Sequence, residues 1–125
     1  MQGTLNDQAL IYLQIARMIE NDILRGVYQA EEQVPSTNVL AKSLNINPAT
    51  AAKGLNLLVD QGILYKKRGL GMFVSPGAAE AIQNKRRSAF YDGYVRPMVK
   101  ESRSLGLNRE ELMDMIEHAI AEGEK

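Results

Sequence analysis

The chain has 125 residues, 45% of them apolar and 24% charged, the mix of a soluble globular domain rather than of a disordered segment. It contains no cysteine, which excludes disulfides, thiolate metal sites, iron–sulfur clusters and a cysteine nucleophile. Basic and acidic side chains cancel over the whole chain, but residues 34–76 carry Lys42, Lys53, Lys66, Lys67 and Arg68 against Asp60 alone, so any polyanion-binding face is expected in the middle of the chain.

Over residues 8–25, Tyr12, Ile15, Ala16, Ile19 and Ile23 recur at helical spacing, with Asn6 or Asp7 placed to cap the start and Gly26 to end it. The polar, acidic stretch 27–33 reads as a connection. Pro35-Ser36 opens a short second helix, with Ser36 as cap and Val39, Leu40 and Leu44 facing inward. Asn47-Pro48 starts a third helix, because proline at the first helical position gives up an N–H that has no partner there. That helix runs to about Gln61 and stops at Gly62; Ala51, Leu55 and Leu58 form one stripe and Ala49, Lys53, Asn56 and Asp60 the opposite one. Residues 63–67 and 72–74, rich in aromatic and branched side chains, flank Arg68-Gly69-Leu70-Gly71 as a β-hairpin. Ser75-Pro76-Gly77 reads as a hinge. Residues 78–102 have helical composition that Pro97 kinks or interrupts, and Leu105-Gly106-Leu107 breaks the chain. Asn108 with Glu111 forms a capping-box pattern ahead of a last helix bearing Leu112, Ile116, Ala119 and Ile120. The expected fold is mainly α with a small β-wing: a winged helix-turn-helix over residues 8–76, then a short two-helix dimerisation tail over 77–125.

The blocks Pro35-Ser36-Thr37-Asn38-Val39-Leu40-Ala41, Leu44-Asn45-Ile46-Asn47-Pro48-Ala49-Thr50, Leu55-Asn56-Leu57-Leu58, Gly62-Ile63-Leu64 and Gly69-Leu70-Gly71-Met72-Phe73-Val74 resemble, in order and spacing, the GntR family of bacterial transcription regulators. The Asn-Pro helix start and the short tail look like its YtrA subfamily, small repressors often associated with transporter operons. The resemblance implies that the third helix enters a DNA major groove while the wing lies along a neighbouring minor groove. The positions matching the family's DNA contacts are Thr37, Asn38, Asn47, Ala49, Thr50, Lys53, Arg68, Gly69 and Gly71. Many members carry arginine where Asn38 stands and a larger polar residue where Ala49 stands. Alanine touches a thymine methyl but cannot hydrogen-bond a base edge, so operator preference does not transfer.

The residues themselves point the same way. Lys53 lies on the polar face of the third helix, one turn in, where a cation reaches a phosphate or a guanine edge. Lys66, Lys67 and Arg68 lead into the wing tip, and arginine suits the negative potential of a narrow minor groove. Asn47 serves as helix cap, as DNA contact or as both. Lys85-Arg86-Arg87 either adds phosphate contacts or solvates a helix. Phe90, Tyr94, Val95 and Met98, with Leu112, Ile116 and Ile120, make the tail rich in large apolar groups and are the expected homodimer contacts. A small-molecule effector would sit at that interface beside Phe90 and Tyr94. His118 is the single histidine, and no metal-ligand cluster or nucleophile–base pair is visible, so neither enzyme activity nor a cofactor is expected. Met1-Gln2-Gly3-Thr4 lacks the order of a signal peptide and no apolar run approaches about 20 residues, so the protein is expected in the cytoplasm without a membrane partner. The rival to a DNA-binding regulator is a winged helix used for protein–protein interaction, which would tolerate loss of Lys53 and of the wing cations.

Overall fold

Helical spacing of apolar residues dominates the first fifth of the chain. In the computed structural model, which describes residues 3–124 and side chains from Leu10 onward, it becomes α1 (Gly3–Leu24). The capping expected of Asn6 or Asp7 concerns side chains outside the described residues; the backbone there is already helical, because the helix begins at Gly3. α2 (Thr37–Leu44) and α3 (Pro48–Asp60) follow, joined by a three-residue turn over 45–47. Both begin at the predicted caps. Ser36 Oγ accepts the Val39 N–H at 3.1 Å, and Asn47 Oδ1 accepts the Ala49 N–H at 2.8 Å. Each side-chain oxygen satisfies an amide that the helix cannot. Asn45 turns the chain at φ 55°, left-handed backbone that asparagine tolerates better than most residues.

β1 (Leu64–Lys67) and β2 (Gly71–Val74) pair antiparallel with Leu64 opposite Val74 and Lys67 opposite Gly71. The connection before α2 does more than link helices. The Glu31 N–H donates to the Val74 carbonyl at 2.8 Å, the Val74 N–H to Glu32 at 2.9 Å and the Val34 N–H to Met72 at 3.0 Å. Gln33 thereby pairs with Phe73, so residues 31–34 line the free edge of β2 and close a ladder that two strands alone would hold only marginally.

The chain forms two compact units, Met1–Asn84 and Lys85–Lys125. In the first, Ile15, Ile19 and Ile23 of α1 meet Leu55 and Leu58 of α3, Leu40 of α2, and Ile63, Leu64 and Val74 at the base of the wing. Ala78 and Ile82, from the start of α4 (Ala78–Phe90), lie in the same core at 3% and 0% exposure. The packed unit therefore runs past Gly77, where the sequence places the domain boundary, because the first turns of α4 bury their apolar face there.

In the second unit α4 passes into a π-helical turn, Tyr91–Val95, and then α5 (Arg96–Ser104). The Arg96 N–H reaches back five residues to the Tyr91 carbonyl. This wider turn carries the helix through Pro97, which has no N–H to give and crowds the carbonyl four residues before it in an ordinary α-helix. α6 (Arg109–Gly123) starts at a complete capping box: Asn108 Oδ1 accepts the Glu111 N–H at 2.8 Å, and Glu111 Oε1 accepts the Asn108 N–H at 2.9 Å. No helix among the described residues is long and apolar enough to cross a membrane.

Candidate nucleic-acid interface

α3 presents the split expected of it. Ala51, Leu55 and Leu58 are fully buried, whereas Ala49, Lys53 and Asp60 are exposed and Asn56 is half-buried. Lys53 is not loose on this surface. Its Nζ lies 4.3 Å from the centre of the Tyr12 ring, a contact worth about 0.5–1 kcal/mol at an exposed site. Tyr12, Ala49, Ala52, Lys53, Asn56, Leu57 and Asp60 line one shallow depression along α3.

What sets this geometry is Gly54, which sequence reasoning passed over. A Cβ there would stand 2.9 Å from the Tyr12 carbonyl oxygen and 3.0 Å from Ile15 Cγ2. Glycine in a helix interior is unfavourable by about 1 kcal/mol. Here it lets α1 and α3 approach until the Tyr12 ring meets the Lys53 side chain.

At the start of α2, Asn38 is exposed and Thr37 half-buried. Asn47 is exposed and spends its side-chain oxygen on the cap. Thr50 departs from expectation: it is buried, at 8% exposure, one turn before Gly54 on the packed side of α3.

On the wing, Lys66, Arg68 and Gly69 are exposed, and the Leu70 N–H closes the turn onto the Lys67 carbonyl at 2.9 Å. Gly69 takes φ 78° and Gly71 φ 120°, left-handed conformations that side chains with a Cβ rarely adopt. Lys67 lies 4.5 Å from the Phe73 ring centre, and Phe73 stands 6.0 Å from Tyr65. The Tyr65 hydroxyl donates to the Glu31 carboxylate. That hydrogen bond, then desolvation and the Glu31 charge, raise the phenol above its ordinary pKa of 10.0. Among the described residues none of Lys42, Lys53, Lys66, Lys67 and Arg68 forms an ion pair, and all are exposed.

In the second unit Phe90, Tyr94 and Ile120 are 59%, 70% and 56% exposed, Met98 is exposed, and Val95, Leu112 and Ile116 are half-buried. Phe90 and Tyr94 lie with ring centres 5.6 Å apart and their planes tilted by 36°. The buried residue of this unit among those described is Ser102, whose hydroxyl donates to the Val99 carbonyl at 2.7 Å. His118 pairs with Glu122 on the surface at 3.4 Å. Among the described residues no group of three or more His, Cys, Asp or Glu is placed to hold a metal ion.

Residues 11–74 match the family of bacterial regulatory proteins called gntR. A Bacteroides thetaiotaomicron protein of known crystal structure, assigned to the GntR family of transcriptional regulators, is 34% identical; the likeness covers 90% of this chain and 98% of that one, with a TM-score of 0.75. The transcriptional repressor YtrA of Bacillus subtilis is 24% identical over 90% of this chain and 85% of YtrA. The DNA-binding domain of AraR, solved in complex with an operator, is 31% identical over 52% of this chain and 78% of that one, with a TM-score of 0.50. Against the curated relatives that it matches at 35% identity over 71 residues, the chain spans 29% of their length. A match through the whole helix-turn-helix and wing, joined to a likeness that runs nearly end to end with the small regulators, means that the chain belongs to the GntR family of bacterial transcription regulators, with YtrA among its near full-length relatives.

Proposed function

We propose that the chain is a dimeric repressor that binds a partly palindromic operator, α3 reading the major groove and the wing following an adjacent minor groove. The observation that carries this reading is the set of five exposed cations between Lys42 and Arg68, none of them in an ion pair among the described residues. Cations already paired within the protein would have to break those pairs to reach phosphates; these do not. Lys53 and Arg68 are the principal contacts, with Asn38, Asn47, Ala49 and Lys66 beside them and Thr37 at the start of α2. Gly69 and Gly71 shape the wing.

The dimer is supported by what the second unit lacks. Its described residues include no fully buried apolar side chain, although Phe90, Tyr91, Tyr94, Leu105, Met113, Met115 and Ile120 are all exposed. Forty-odd residues without a core of their own need a partner surface to be stable, and a second copy would also supply the second half-site reader. Release by a small-molecule effector would belong to this tail, beside Phe90 and Tyr94.

Titration of purified protein onto fragments of the source genome in a gel-shift assay tests the reading. A subset of fragments should be preferred, affinity should fall with salt at a log–log slope of about 0.9 per neutralised phosphate, and Lys53→Ala and Arg68→Ala should each weaken binding about 10-fold. No preference for any fragment at low ionic strength would refute it.

A further inference from the structure

We propose that Gln33, in the connection ahead of α2, is a positioning residue for the wing: its side-chain amide clamps the tip from outside the hairpin and so presents Arg68 to DNA. The inference rests on the regulator reading above. Gln33 Nε2 donates to the Leu70 carbonyl at 2.7 Å, a contact between residues 37 apart in the chain. The backbone of Gln33 is fixed by its pairing with Phe73, so the amide reaches the tip from an anchored base rather than from a free loop.

Two features support a clamping role for this contact. A Cβ on Gly71 would lie 2.6 Å from Gln33 Nε2; the side chain that glycine omits is the space the amide fills. Leu70, the apolar residue of the tip, is 64% exposed and anchors nothing by burial. The tip is therefore held by hydrogen bonds, the Leu70 N–H to Lys67 on one side and the Gln33 amide to the Leu70 carbonyl on the other. A clamped tip holds Arg68 near its bound position before DNA arrives, and the ordering cost that a loose loop would meet on binding is avoided.

Gln33→Glu keeps the length of the side chain, removes the N–H donor and sets a carboxylate against the Leu70 carbonyl. In the free protein, amide hydrogen exchange at Leu70 and Gly71 should quicken while the thermal midpoint stays unchanged, since Gln33 is exposed. On a selected genomic fragment the variant should bind about 3- to 10-fold more weakly, the range that one net hydrogen bond gives. A positioning role further requires that the loss depend on Arg68. In an Arg68→Ala background Gln33→Glu should cost less than about twofold, and in a Lys53→Ala background its full factor. Equal losses in both backgrounds would make Gln33 merely structural and overturn the proposal, as would unchanged exchange at the tip. Failure of the unaltered protein to select any fragment would refute the regulator reading instead, and the exchange measurement would still decide whether the clamp exists.

Discussion

Replacing Gly54 with alanine sets two effects of opposite sign against each other. Alanine is the better helix former by about 1 kcal/mol, and a buried methyl contributes about 0.8 kcal/mol more. Both terms favour the variant. Against them stands a Cβ 2.9 Å from the Tyr12 carbonyl oxygen, 3.0 Å from Ile15 Cγ2 and 3.1 Å from Ile15 Cβ, where ordinary contact begins at 3.4 Å. None of these neighbours is the end of a flexible chain. One is backbone, and isoleucine in a helix has one strongly preferred χ1 rotamer. Relief has to come from moving α1 away from α3, which loosens the packing of Ile15 and Ile19 on Leu55 and Leu58. Forced expansion of a packed core costs about 1–3 kcal/mol, occasionally more. Because the whole helix pair must shift, the top of that range applies, and a net destabilisation of about 1 kcal/mol is expected. For a unit of this size that lowers the thermal midpoint by about 4–8 °C. Circular-dichroism melts, with urea titrations to compare midpoints at constant m, measure it. A midpoint equal to or above that of the unaltered protein would refute the close-approach argument and leave helix propensity in control.

Asn47→Ala removes the acceptor for the Ala49 N–H and should cost about 1 kcal/mol of stability by melting; a loss of operator affinity at a temperature where both proteins are folded would add a DNA role to the cap. Tyr65 should ionise above pH 10, and ultraviolet titration should show one high-pH phenol fewer in Tyr65→Phe, with Tyr28, raised by burial and then by Asp22, still titrating there. The folded state favours the neutral phenol, so the stabilisation is complete below the ordinary pKa and disappears as pH rises through the raised one. Tyr94→Glu, at a 70% exposed position, should convert the proposed dimer to monomer in light scattering at micromolar concentration while leaving the melting of the first unit in place; a dimer that survives it would shift the interface elsewhere.

The caps and turns were legible because their chemistry is local. Ser36, Asn47-Pro48 and the Asn108–Glu111 pair each act within three residues, so the sequence holds the whole interaction. The glycine-tipped hairpin is likewise a short-range object. The edge pairing of residues 31–34 on β2 was not legible. Glu31-Glu32-Gln33 has no apolar alternation, and its partner lies about 40 residues away, visible only once the wing has folded back. Pro97 announces a break, but the sequence does not say how it is accommodated. A π-turn adds one residue to one turn, a shift too small for apolar spacing to register. Nor does a hinge tripeptide reveal that Ala78 and Ile82 remain in the preceding core.

At the interface, hydrophobic periodicity located the outer face of α3, whereas the family resemblance put Thr50 among the DNA contacts, and Gly54 explains why Thr50 lies inside instead. Ala51, Leu55 and Leu58 mark the inner stripe because they are apolar; Gly54 lies on the same side and carries no such mark. Counted as an inner position, it would have placed Thr50, four residues before it, inside as well, which is where Thr50 is found. Glycine is selected there by size, and a hydrophobicity pattern is blind to size. The same omission hid Tyr12, whose ring reaches Lys53 only because α1 can lie so close to α3. The small residue that lets the core close also fixes where Lys53, the lysine proposed to contact DNA, stands, so the fold and the proposed site share a determinant that neither the apolar nor the charged pattern displays.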